Sequence, residues 1–260
     1  MRNKIRKKAY GDLLKLDSDR ENVYIIHYSC GHFIEISDGY SPRINSIAIH
    51  NLQSGQTTSF AIHRIAEIEH ITKENIEFNY DRLEKMMLDE YYKFVKEHQS
   101  CKWIHWNMRD SNFGFKALEH RYRVLGGEPV YITDNNKYDL SKIFNEIYGE
   151  KYIEHPKMEN ILRLNNISMK GFMSGLDEAS AFKQKEFSRI YQSSLRKVYE
   201  FSKLFELALN KELKTKSTWK DQYGLSIQGI YEYCTSNFYI MFIWQIVSII
   251  LGAWVSSLFT

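Results

Sequence analysis

The chain has 260 residues, a formal net charge of +3, 15% aromatic residues, 13 glycines and three prolines. That charge is too small to argue nucleic-acid binding by itself, and neither a low-complexity tract nor an internal repeat is present. The three cysteines, Cys30, Cys101 and Cys234, are far apart and odd in number, which excludes a disulfide framework and suits a reducing compartment.

The chain opens on five basic residues among its first eight, Arg2, Lys4, Arg6, Lys7 and Lys8, and then runs into Gly11, Asp12 and Asp17. No apolar run follows them, so they do not read as a secretory leader. They are expected to form a solvated tail, with phosphates or anionic lipid headgroups as the other use of such a cluster. Val23 to Tyr28 is a run of β-branched and aromatic residues and predicts a buried strand. Ser46 to Leu52 and Thr57 to Ile62 flank the turn residues Gln53-Ser54-Gly55-Gln56 and predict a hairpin.

Between Asn79 and His98, Leu83, Met86, Met87, Phe94 and Val95 recur at helical spacing, and Lys102 to Trp106 predicts a further strand. A helix over Phe115, Leu118, Tyr122 and Leu125 is stopped by Gly126-Gly127, and another follows Asp139 on the face made by Leu140, Ile143, Phe144, Ile147 and Tyr148. One long helix is expected from Asp177 to about Asn210. Strands interleaved with helices indicate an α/β domain with a mixed sheet flanked by helices.

From Phe238 to Phe259 the sequence carries 22 residues without an ionisable group, covering roughly 30 Å as a helix, about the hydrocarbon thickness of a bilayer. A single C-terminal transmembrane helix is expected. Seven Lys or Arg stand against three Glu between Ser193 and Lys220, so the positive-inside rule keeps the N-terminal domain in the cytoplasm. The organisation expected is therefore a cytosolic domain over 1–210, a linker over 211–236 and a membrane helix over 237–260. Gln245, Ser248, Gly252 and Ser256 fall on one stripe of that helix, a pattern that favours self-association and, with several copies, a polar lumen.

The hairpin, the long helix, the strand ending in His105-Trp106-Asn107 with Asp110 behind it, and Met173-Ser174-Gly175-Leu176-Asp177-Glu178-Ala179 resemble the DnaQ-like 3′–5′ exonucleases of the ribonuclease H-like superfamily. The resemblance implies a ribonuclease H-like sheet over residues 20 to 200 and a cleft holding two Mg²⁺ or Mn²⁺ ions between four carboxylates. The first two of those acids would stand two apart on the first strand, so that both face the metals. His27 and Ser29 occupy their places here. Asp110 and Glu178 fall near the third and fourth, Asp177 is a neighbouring carboxylate, and Met173 replaces the histidine that would act as base. Glu35 and Asp38 follow the first strand and are further carboxylates for a rearranged site.

Two ligand positions and the base are thus lost, which implies a degenerate exonuclease. Its cleft, with His27, Ser29, His105, Asn107 and Asp177, is expected to bind nucleic acid, a nucleotide or a protein partner. A cytosolic sensor on one membrane helix also suits, by analogy of architecture, a defence or toxicity effector acting at the membrane. Alternative readings are an active metal-dependent exonuclease using Asp110 and Glu178, an interaction scaffold, and a zinc site built from His27, Cys30, His32, Cys101 and His105. No Walker loop, Rossmann glycine fingerprint or nucleophile elbow is present.

Overall fold

The computed structural model describes residues 2–31, 41–109, 113–236 and 238–258, the last four by backbone alone. The chain starts with helix α1 (Arg2–Asp17), followed by β1 (Val23–Cys30), β2 (Ile44–Asn51) and β3 (Thr57–Ala61). Next come α2 (Ile62–Ile68), α3 (Tyr80–Glu97), β4 (Lys102–His105), α4 (Phe115–Val124) and β5 (Lys137–Asp139). The remainder is helical: α5 (Leu140–Tyr148), α6 (Lys157–Leu164), α7 (Gly175–Lys183), α8 (Phe187–Leu209), α9 (Trp219–Tyr223), α10 (Ile227–Ser236) and α11 (Phe238–Leu258).

The five strands form one mixed sheet in the order β3-β2-β1-β4-β5. β1 runs antiparallel to β2 and parallel to β4, and β4 runs parallel to β5. Alternation along the central strand divides its side chains between two cores. Val23 and Ile25 join α1, α5 and α8 on one face, while Ile26, Tyr28 and Cys30 join α2, α3 and α4 on the other. Both faces are therefore covered, and the central strand reads as a nearly continuous apolar run for that reason.

The hairpin closes as its composition predicts, with Gly55 at φ 70° and Asn51 Oδ1 accepting from the backbone N–H of Ser54 at 2.9 Å. Asp139 caps α5 by accepting from the backbone N–H of Ser141 at 3.0 Å and of Lys142 at 3.3 Å. The expected long helix from Asp177 is two helices. Lys185 takes the left-handed conformation at φ 58°, and Glu186 N–H closes back on the Ala181 carbonyl at 2.9 Å. That is a Schellman-type stop built without glycine.

The N-terminal basic run is not a solvated tail. It begins α1, whose Ala9, Leu13 and Leu16 are fully buried against the core. Its hydrophobic period is short, because Leu13 and Leu16 follow a first turn whose Arg2 and Arg6 side chains are themselves engaged. Arg2 Nε donates to the Asp221 carbonyl at 2.7 Å, and the Arg6 guanidinium lies 4.2 Å from the centre of the Tyr223 ring. The segment 211–236, expected as a linker, carries α9 and α10, which pack against α1.

Over the residues whose side chains are described, no single helix is long and apolar enough to cross a membrane. The helices Ile227–Ser236 and Phe238–Trp254 together meet that length and composition, bent by 98°. α11 exposes its apolar side chains, among them Tyr239, Trp244 and Ile249, and its chief neighbour is α10.

A buried ion pair ties the sheet to two helices. Glu84 on α3 is fully buried and accepts from the Ile44 backbone N–H at 2.6 Å and from Arg121 of α4 at 3.0 and 2.5 Å. Burial raises its carboxyl above the usual range, against the pull of the Arg121 guanidinium. Replacing Arg121 by Met would leave that carboxylate with one backbone donor in an apolar setting, and a loss of about 3 to 5 kcal/mol is expected. Denaturant unfolding followed by the fluorescence of the buried tryptophans checks this; a loss below about 1 kcal/mol would show that Glu84 is satisfied without the pair.

Candidate functional site

The β1–β4 register determines which side chains meet. Ile25 stands opposite Ile104, so odd-numbered residues of β1 share a face with even-numbered residues of β4. His27 and the Trp106 side chain consequently turn to the α8 face, and His105 turns to the opposite one, where it lies against Phe115. The two histidines, expected together in one pocket, are separated by the sheet.

On the α8 face a cleft of about 250 Å³ opens between the end of β1, the residues after β4, and the start of α7. Its walls include Trp106, Phe113, Phe172 and Phe201, with Trp106 stacked on Phe201 at 5.8 Å and 17°. His27 is 7% exposed, and neither of its ring nitrogens has a hydrogen-bond partner among the described residues. Burial holds its imidazole well below the ordinary range, with the Lys197 ammonium acting in the same direction. It is a neutral, unsatisfied base on an aromatic wall.

Glu178, expected from its motif as a site acid, is 3% exposed on α7. It accepts from the Lys197 ammonium at 2.7 Å and from the Ser193 hydroxyl at 2.8 Å, both on α8. The break at Lys185 makes this possible by folding α8 back along α7. Ser193, Lys197 and Phe201 are four apart on one helix face, and a lysine within such a buried stripe is the sequence signal that was available for this pair.

Other expected site residues distribute differently. Asn107 and Met173 line the cleft. Ser29 lies beneath it, in a buried hydroxyl cluster with Ser46 at 2.8 Å and Ser194 at 3.2 Å. Asp177 is exposed and forms the capping box of α7 with Ser174. Asp110, Glu35, Asp38 and His32 lie outside the described residues.

The described residues do not fit a pair of dications. His27 and Ser29 carry no negative charge, Glu178 is balanced by an ammonium, and no group of three or more His, Cys, Asp or Glu able to hold a metal ion occurs among the described residues. The zinc set is likewise dispersed. Cys101 precedes β4 at its N-terminal end, whereas His105 is at the C-terminal end, and Cys30 points into the α3 core.

Across the end of β4 from the cleft is a second crevice, of about 300 Å³, which sequence reasoning missed. Arg109, Lys116, Lys137 and Lys142 surround it, together with His105, Asp134 and Asp139. Arg109 Nε pairs with Asp139 Oδ2 at 2.6 Å, and Asp139 Oδ1 also accepts from the Asn107 backbone N–H at 3.3 Å. His105 Nδ1 accepts from the Met108 backbone N–H at 3.2 Å, so its neutral form carries the proton on Nε2. Burial lowers this imidazole to about 4, and Arg109 and Lys137 act with it against Asp139. Consecutive residues of one segment thus serve two pockets: Trp106 and Asn107 the aromatic cleft, His105, Met108 and Arg109 the basic crevice.

His27 and His105 are both held neutral in the fold, while in the unfolded chain each protonates near 6.5. Below that pH the unfolded state binds more protons, so stability is complete above 6.5 and falls as the pH drops toward the folded values. Replacing His27 by Phe should lessen this fall by about 1.4 kcal/mol per pH unit between pH 6 and 5. Unfolding curves at several pH values check it, and an unchanged slope would mean that His27 is protonated in the fold.

No family model, no curated protein and no solved structure matches the chain, so the reading of its two pockets rests on their geometry.

Proposed function

We propose that this is a membrane-anchored, non-catalytic exonuclease-like protein that binds a nucleotide or the end of a single nucleic-acid strand at the strand ends of a ribonuclease H-like sheet. The observation that carries the non-catalytic half is the buried Lys197–Glu178 pair. An ammonium 2.7 Å from Glu178 Oε1 already balances the charge that a metal ion would need. Removing a partner from such a pair is costly, so the carboxylate is held as a structural anion. The strand order β3-β2-β1-β4-β5, with its antiparallel β1–β2 pair, agrees with the ribonuclease H-like resemblance.

Nucleotide binding is supported by the pairing of the two pockets. A flat base suits the Trp106, Phe113 and Phe201 walls, where stacking contributes about 1 to 3 kcal/mol per base and tolerates any base. His27 offers such a base one donor and one acceptor, since its ring nitrogens lack partners among the described residues. Arg109, Lys116, Lys137 and Lys142 surround the crevice on the other side of the same strand end, where they would meet a phosphate adjoining the base. A protein partner has no comparable use for both chemistries side by side.

Full-length protein in detergent, incubated with labelled single-stranded DNA and RNA and with Mg²⁺ or Mn²⁺, tests the reading. Binding without shortening is expected, weakened at least tenfold by Arg109→Glu with Lys142→Glu, as loss of phosphate contacts in a salt-sensitive interface requires. Metal-dependent shortening abolished by removing Asp110 and Glu178 together would establish the active exonuclease instead. Neither binding nor shortening would leave the scaffold reading.

The anchor in this proposal is α11, 21 residues without a charged side chain and about 32 Å long as a helix. Its large apolar side chains are turned to the outside, Trp244 at 68% and Ile249 at 72% exposure, which bulk water would penalise and lipid would not. The basic excess before it puts the N-terminal domain on the cytoplasmic side. Alkaline carbonate should leave the chain in the membrane pellet; release of intact protein would remove the anchor.

Within the bilayer, copies of α11 would associate along Gln245, Ser248 and Gly252, with Ser256 continuing the stripe outside the described side chains. Ser248 Oγ donates to the Trp244 carbonyl at 2.8 Å, so its hydroxyl is satisfied within the helix and packs as a small residue. Gln245 keeps an amide for an interhelical bond worth about 0.6 to 2 kcal/mol. A β-carbon built at Gly252 meets nothing within 4 Å, so the single helix tolerates Gly252→Ile while a close helix pair would not. Crosslinking in membranes should show smaller assemblies for Gly252→Ile and parental ones for Ile250→Ala; equal assemblies for both would reduce α11 to an anchor.

A further inference from the structure

We propose that the outward faces of α1 and α10 form a docking surface for anionic lipid headgroups, an inference that rests on the membrane reading of α11. α10 is amphipathic in the inverted sense. Its small and polar residues make the contacts with α9 and α1: Gly229 is buried with its Cα against the Tyr223 carbonyl, Ser236 Oγ meets the Tyr223 hydroxyl at 2.9 Å, and Glu232 pairs with Lys7 of α1. Ile227, Ile230 and Tyr231, spaced three and one apart on the other face, are 89%, 43% and 67% exposed. A helix that docks through glycine, serine and glutamate and presents isoleucine outward is built for an apolar medium on that side.

The medium is identified by what adjoins the stripe. α10 leads into α11 at 98°, so with α11 across the bilayer α10 lies along its surface, as an interfacial helix does. α1 packs beside α10 and presents Lys4 and Lys8, one helical turn apart and both exposed. Among the described residues neither forms an ion pair; Glu232 of α10 is engaged by Lys7, and Asp221 by Thr218 in the capping box of α9. No acidic residue stands in the first turn of α1. Lysines bordering an apolar stripe match the order of a bilayer edge, phosphates outside and hydrocarbon inside, and each basic residue near such a surface strengthens association roughly fivefold. The packing of α1 is what brings the N-terminal lysines, more than 200 residues away in sequence, to the root of the membrane helix.

The test uses the full chain reconstituted into vesicles of phosphatidylcholine alone or with phosphatidylglycerol, and reads acetylation of each lysine by a water-soluble amine reagent. Lys4 and Lys8 should be modified several-fold more slowly in the anionic vesicles, and about 1 M salt, which shortens the Debye length to about 3 Å, should abolish the difference. Lys93 and Lys96, exposed on α3, serve as unaffected references. Ile227→Asp with Ile230→Asp should remove the protection while circular dichroism stays parental. Equal modification of Lys4 and Lys8 in both vesicles, with the chain retained after carbonate washing, would overturn this inference alone. Release by carbonate would overturn the membrane reading and this surface with it.

Discussion

The parallel pairing of β1 with β4, with Ile25 opposite Ile104, is the constraint from which the rest of the molecule follows. In a sheet covered on both faces every side chain is committed to one of two cores, and a slip of one residue would exchange them. The register sends Val23, Ile25 and His27 toward α8 and sends Ile26, Tyr28 and Cys30 toward α3. It also divides the segment after β4, whose successive residues open into an aromatic cleft on one side and a basic crevice on the other. Two chemistries are thereby set on opposite sides of a single strand end.

Two buried ion pairs work within that frame. Arg121–Glu84 joins α4 to α3 and, through the Ile44 N–H, to β2; Lys197–Glu178 joins α8 to α7 and closes the floor of the cleft. Such pairs contribute little net stability over an apolar replacement, yet breaking either leaves a charge without compensation. Their effect is to specify geometry. In the cleft this geometry also defines chemistry, because a carboxylate already neutralised by an ammonium is a poor ligand for a dication. Beside it His27 is neutral, and its ring nitrogens have no partner among the described residues.

The C-terminal helices extend the same logic to the solvent boundary. Within the domain apolar side chains turn inward, but on α10 and α11 they turn outward, and α1 adds lysines beside them. Burial of Ala9, Leu13 and Leu16 fixes α1 to the core, so these lysines are held by a rigid element. In the proposed function, the pockets at the strand ends and the membrane surface are thus coupled through one continuous packed body.

The sequence determined, by local rules, the elements whose signals are local. Strand composition and turn residues placed β1 to β4 within two residues of their bounds, helical spacing placed α3, α4 and α5, and the uncharged run from Phe238 placed α11. It also singled out Glu178, His27 and Asn107. What it could not determine was decided by contacts between distant residues. β5 is three residues long and exists only because Asp139 pairs beside His105 on β4. α1 carries a weak apolar period, and its packing on α5 and α9 overrides the solvated tail that its charges suggest. The break at Lys185 depends on a left-handed lysine that propensity does not announce. Lys197 meets Glu178 only after that break, and His27 and His105 part company through a parity that pairing alone defines. Local spacing encodes which face a residue takes within its own element; which face of the molecule that becomes is set by register, and register is a property of two segments together.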